Sequence, residues 1–192
     1  PLKKRSNFYL IRAKKTSSKK FLMTSFLKEK INNWLDNFEK LVIIGVGNKD
    51  RCDDGSGSAI TEILSDFAER NRIGNVRIFS CYEAPENFTG PVKKEKPSHI
   101  IIIDSCITGQ KPGHISIIKP DRIKETDISS HRMPLKLLCK YLRDETGADI
   151  LIIGVEPYNI KEGSNFSDPV NKSIQKVNDF FKEVLRFRQA GR

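Results

Sequence analysis

The chain has 192 residues, of which 38% are hydrophobic and 30% charged, and a formal net charge of +10. That length fits a single domain able to bury roughly 70% of the surface its unfolded form exposes, so no disulfide or metal staple is required. No apolar run approaches the roughly 20 residues that span a bilayer, and the N-terminal stretch lacks the apolar core of a secretory signal, which together point to a cytoplasmic protein without a membrane partner.

The basic excess is concentrated at the start of the chain. Residues 1–22 hold eight lysines and arginines and no acid, so removing them from +10 leaves +2 for residues 23–192. Such a tail can bind phosphate backbones nonspecifically, but a solvated, disordered extension is the favoured reading of its composition, and nucleic acid is the least favoured partner. Met23 stands just before the first helical pattern, which makes a natural start there one hypothesis, and residues 23–192 are expected to form one α/β domain. A peptide from residues 1–22 in mass spectra of the native protein would contradict that start.

From Ser25, a helix cap, Leu27, Ile31, Trp34, Leu35 and Phe38 recur on one helical face. Leu41 to Val46 is β-branched and apolar on both faces, as in a strand covered by helices on each side. A polar, glycine-rich loop follows to Gly57. Beyond it, Ile60, Ile63, Leu64, Phe67 and Ala68 mark a second helix, and Val76 to Phe79 a second strand. His99 to Asp104 reads as another buried strand, and His114 to Ile118 as a shorter one after the Lys111-Pro-Gly113 turn. Leu135, Leu138, Cys139 and Leu142 lie on a helix entered at Pro134, where a missing backbone donor does no harm. Asp149 to Val155 is a further strand. Asp168 and Pro169 read as the cap and first residue of a helix carrying Val170, Ile174, Val177, Phe181 and Val184. Alternating strands and helices with short connections predict a three-layer α/β/α sandwich around a mostly parallel twisted sheet, of the phosphorylase/hydrolase-like kind.

In such sheets ligands bind beyond the carboxyl ends of the strands. Asp54 lies in the loop after the first strand, and Asp104 ends the third. His131 precedes a helix N-terminus, which disfavours imidazolium and keeps a lone pair available. Two carboxylates and one imidazole make an incomplete metal shell that water or a substrate would have to finish. Each member also has a structural role open to it: Asp53 or Asp54 as a helix cap, Asp104 as a backbone acceptor, His131 as a core or cap residue. Glu86 and Asn87, in Ala84-Pro-Glu-Asn-Phe-Thr-Gly90, follow the second strand and can reach the same crevice or form a solvated turn. His99 and His114 read as structural.

Other chemistries fit less well. Gly45-Val-Gly47 lacks the third glycine of a dinucleotide loop, where Asp50 stands instead, and no P-loop, His-Glu-x-x-His or Gly-x-Ser-x-Gly motif is present. Cys52, Cys81, Cys106 and Cys139 form no Cys-x-x-Cys pair. A nucleophilic Cys52 or Cys106 working with His131 stays open, because such partners need be adjacent only in space.

The ordered set Gly45-Val-Gly47-Asn48, Asp53-Asp54-Gly55-x-Gly57, Pro85-Glu86-Asn87, Ile103-Asp104, Pro112-Gly113, Ser130-His131-x-x-Pro134-Leu135 and Ile152-Ile153-Gly154-Val155-x-Pro157 resembles the nickel-iron hydrogenase maturation proteases. The likeness runs from about Leu41 to Leu185 and is strongest to the branch serving archaeal or formate-linked hydrogenases. It implies an aspartyl-type endopeptidase that removes the C-terminal peptide of a hydrogenase large-subunit precursor after nickel insertion. It also implies Asp54, Asp104 and His131 as the nickel-contacting trio, with Asp54 and Asp104 catalytic. Asn48, Glu86 and Asn87 are expected to bind substrate. No cofactor is expected to be permanently bound, since nickel arrives with the precursor. A non-proteolytic module of the same fold that senses nickel or docks a subunit is the alternative. One departure stands out: many members carry glycine where this chain has Cys52. If that position needs positive φ, cysteine is strained there, and a thiolate beside the trio could otherwise join the metal shell.

Overall fold

The computed structural model describes residues 25–123 and 134–190. His131, with Ser130 beside it, and the basic extension at 1–22 lie outside the described residues.

Five strands, β1 (Leu41–Gly45), β2 (Val76–Ser80), β3 (His99–Ser105), β4 (Ile115–Ile118) and β5 (Asp149–Val155), form one sheet in the order β2-β1-β3-β5-β4. All pairings are parallel except that of β4 with β5. The helices are α1 (Ser25–Trp34), α2 (Ser56–Arg70), α3 (Thr89–Lys94), α4 (Leu135–Thr146) and α5 (Asp168–Ala190).

The strand pleat explains the layers. Ile101 and Ile103 of β3 join a core built by Ile31 of α1, Leu64 of α2 and Val177 of α5, whereas Ile100 and Ile102 join one built by Val92 of α3 and Leu138 of α4. β1 and β3 are buried along their whole length because both faces are covered. Each fully buried aliphatic or aromatic side chain contributes about 1.5–3 kcal/mol, so α5, which buries Val170, Ile174, Val177, Phe180, Phe181 and Leu185, is a principal support of the first layer. Among the described residues no helix is long and apolar enough to cross a membrane.

Several boundaries differ from expectation. α1 stops at Trp34, and Phe38 lies beyond it, packing its ring 6.4 Å from that of His99. Ile63 falls on the helical stripe of α2 but is 41% exposed. Pro134 is the cap of α4 rather than its first residue: its ψ is 130° and its carbonyl accepts the Leu138 N–H. Ser167, not Asp168, supplies the first carbonyl of α5, accepting from Asn171 N–H at 2.8 Å. α3 has no counterpart in the sequence reading, because Gly90-Pro91 reads as a chain breaker. The proline sits in the first turn, where no intrahelical donor is lost.

His99 is structural, as expected. Its ring packs edge-on against Trp34 at 4.6 Å and its Nδ1 lies 3.0 Å from Ser98 Oγ. Burial pushes its pKa below 6.5, against smaller opposing effects of Asp149 and the Trp34 backbone. The native state therefore binds protons less readily than the unfolded chain. This contribution to stability is present above about pH 6.5 and is lost as pH falls through the folded pKa. Urea unfolding at pH 7.5 and 5.5 is expected to show that loss, and His99→Phe to flatten it; an unchanged slope in the variant would contradict the assignment.

Candidate active site

β1 and β3 are neighbours, yet β1 leads to β2 on one side and β3 leads to β4 and β5 on the other, so a crevice opens at the carboxyl ends of β1 and β3. Asp54 and Asp104 stand at this switch point. Asp104 ends the register of Ile100 and Ile102 on β3, opposite Gly154 of β5, and is fully buried. Its pleat position places it on the face of α4, the helix that His131 precedes in sequence.

Asp54 lies in a single 3₁₀ turn, Cys52–Gly55, that leads into α2. It is 2% exposed. Its Oδ2 accepts the Asn48 backbone N–H at 3.0 Å, and its Oδ1 accepts the Ser105 hydroxyl at 3.3 Å. One carboxylate thus ties the loop after β1 to the end of β3. Close backbone packing makes the arrangement possible. A Cβ on Gly57 would stand 2.2 Å from both the Val46 and Ile103 carbonyl oxygens, so only glycine lets the start of α2 rest on the two strand ends. Gly57→Ala is expected to lower stability by about 1–3 kcal/mol through enforced backbone shifts and to displace Asp54, reducing activity; thermal melts and turnover measured together check it.

Asp53 has a different task from its neighbour. It is fully buried, and neither it nor Asp54 caps α2, whose cap position is Gly55 without a side-chain bond. The Asp53 carboxylate instead accepts Tyr158 N–H and Asn159 N–H, both at 2.9 Å, Ser167 N–H at 2.7 Å and Ser167 Oγ–H at 2.8 Å. It clamps the loop after β5 and the entrance of α5. The same loop holds Cys52, whose φ is +48°. Its N–H donates to Gly163 O at 2.6 Å, and its thiol accepts from Asn159 Nδ2 at 3.5 Å. Gly163, at φ +143°, would place a Cβ 2.8 Å from that sulfur. The positive φ considered for this position from the sequence is present, and the thiol faces Gly163 and Asn159.

The Asn48 side chain is engaged within the protein. Its Nδ2 donates to Glu83 Oε1 at 2.8 Å and its Oδ1 accepts Asp50 N–H at 2.8 Å, which leaves its main chain to hold Asp54. Glu86 is half-buried in the 3₁₀ turn Pro85–Phe88, with Oε2 shielded from solvent and without a hydrogen bond among the described residues. Asn87 is exposed, its N–H donating to Ala84 O. Gly47 N–H donates to Tyr82 O and Cys81 N–H to Gly45 O, so the connection that carries Glu86 and Asn87 starts beside β1. Burial pushes the Cys81 and Cys139 thiols up to about 12, leaving them protonated and inert. Sequence reasoning missed Ser105, although it adjoins Asp104, and Glu156. The latter is buried and accepts Thr108 N–H at 2.8 Å, fixing the loop after β3. A cleft of about 580 Å³ opens beside Asn48, between Arg51 and the segment Ile160 to Glu162.

The chain is similar to known proteins over most of its length. Residues 59–183 match the family model for hydrogenase maturation proteases, a span that includes Asp104 and begins after Asp54. A Methanocaldococcus jannaschii protein bearing a provisional hydrogenase maturation protease name is 32% identical over 163 residues, 83% of this chain and 96% of its own. The hydrogenase 3 maturation protease of Escherichia coli K12 is 28% identical over 137 residues, 71% of this chain and 85% of its own. The crystal structure of a NiFe hydrogenase maturation protease from Thermococcus kodakarensis KOD1 superposes with a TM-score of 0.75 at 25% identity, covering 82% of this chain and 99% of that one.

Proposed function

The chain belongs to the hydrogenase maturation protease family, and we propose that it is the endopeptidase that removes the C-terminal peptide of a nickel-iron hydrogenase large-subunit precursor once nickel is in place. The observation that carries this reading is the pair of buried carboxylates, Asp54 and Asp104, at the carboxyl ends of adjacent parallel strands. Nickel is part of the substrate: it comes held by the precursor, and Asp54, Asp104 and His131 complete its surroundings. No resident cofactor takes part.

A carboxylate in the crevice can take the proton of an attacking water, while the substrate's nickel can polarise the scissile carbonyl. Asp54 suits either task, since the N–H of Asn48 and the hydroxyl of Ser105 fix its orientation. A protein substrate also fits the rim. Tyr82, Ile107 and Tyr158 are exposed large apolar residues, and they follow the carboxyl ends of β2, β3 and β5, so they surround the crevice with the kind of surface that protein partners cover. Incubation with a nickel-loaded large-subunit precursor is expected to release the C-terminal peptide, read by mass spectrometry. Metal analysis of the purified, substrate-free protein is expected to show no stoichiometric nickel, and tight nickel there would contradict delivery by the substrate.

A further inference from the structure

Among the described residues β4 pairs only with β5 and forms one edge of the sheet. Glu156 N–H donates to His114 O at 2.9 Å, which marks residues 114 and 156 as a hydrogen-bonded pair in the antiparallel register. Such pairs alternate along the ladder, so Ser116 and Ile118 turn their backbone groups toward β5, whereas Ile115 and Ile117 present theirs to the outside.

A cleft of about 630 Å³ follows that edge. Ser116, Ile117 and Ile118 all line it. Because successive strand residues point to opposite faces, a cavity touching all three lies edge-on to the strand. Lys30, Thr108, Gln110, His114, Lys119 and Arg122 complete its polar wall, and no carboxylate lines it. The nearest strand-end carboxylate, Glu156, is buried and turned onto Thr108 and Gly109. Among the described residues Lys30, Lys119 and Arg122 form no ion pair, in contrast to Lys28, Lys40, Lys93 and Arg143.

We propose that this edge binds an acidic polypeptide segment in extended conformation, which adds to β4 as a further strand and sets its carboxylates against Lys30, Lys119 and Arg122. The outward N–H and C=O groups of Ile115 and Ile117 need a peptide backbone to pair with, and the uncompensated cations select acidic side chains. A second copy of the chain is a poor occupant, since it offers the same basic edge and no added carboxylate there. The surface is distinct from the Asp54 crevice, and the proposal does not rest on the proteolytic reading.

The test uses the full chain and two fluorescein-labelled probes, a peptide of alternating glutamate and valine and its counterpart with glutamine for glutamate. Anisotropy is expected to show binding of the acidic peptide, with the glutamine peptide weaker by about tenfold or more. Lys119→Glu combined with Arg122→Glu is expected to cause a similar loss, and both residues are exposed, so the fold is not at stake. Amide NMR shifts are expected at Ile115 and Ile117. Equal binding of both peptides, no binding of either, shifts confined to other residues, or displacement by oligothymidine at equal concentration would overturn the proposal. So would hydrogen exchange showing the Ile115 and Ile117 amides already protected in the free protein, because the edge would then be covered.

Discussion

Asp54→Asn is expected to leave the protein folded and to reduce precursor trimming by about 10²–10⁴-fold, the range associated with loss of a positioned proton acceptor. The replacement is isosteric. Its amide oxygen can still accept the Asn48 N–H, now received at 3.0 Å, and its amide nitrogen can donate to Ser105 Oγ, which reverses that bond without breaking it. Only the negative charge is removed, and with it the capacity to take a proton or contact nickel. Circular dichroism and thermal melts check the fold, and peptide release from a nickel-loaded precursor checks the activity. A folded variant with full trimming would remove Asp54 from the chemistry.

Asp53→Ala is expected to do the reverse damage one residue earlier. It leaves the donors from Tyr158, Asn159 and Ser167 without their acceptor around a side chain that is fully buried. Each buried donor left unmet costs about 1–3 kcal/mol, partly relieved by water entering the loop, so a total of about 3–5 kcal/mol is expected. For a chain of this size that is a fall in Tm of roughly 10 °C or more. Urea unfolding of wild type and variant measures it. An unchanged midpoint would show that the clamp on the loop after β5 carries no weight. Together the two variants separate neighbouring carboxylates, one that clamps the loop after β5 and one proposed to meet the substrate.

That division was not legible in the sequence. Asp53 and Asp54 both precede α2, and capping was open to either until the loop from Tyr158 to Ser167 was seen wrapped around Asp53, more than a hundred positions away. Local patterns carry no record of such a contact. The sheet was readable because Leu41 to Gly45 and His99 to Asp104 are apolar on both faces, a requirement of covered parallel strands that leaves a direct trace. α3 left no trace, because its stability comes from Val92 packing against the α4 layer rather than from the propensity of Thr89-Gly-Pro. The contact by which Asn48 holds Asp54 uses its backbone N–H, a group every residue but proline possesses, so it leaves no trace in the residue type. Cys52 stands where the resemblance leads one to expect glycine, and a positive φ was one of the readings open there. The packing of its thiol on Gly163 and Asn159 was not.

The reading of the crevice as a detector of nickel carried by the substrate is tested most directly by one comparison. The same large-subunit precursor, prepared with and without nickel, is incubated with the wild-type protein, and C-terminal peptide release is followed by mass spectrometry. Release from the nickel-loaded precursor alone is the predicted result. Equal release from both forms would contradict the account.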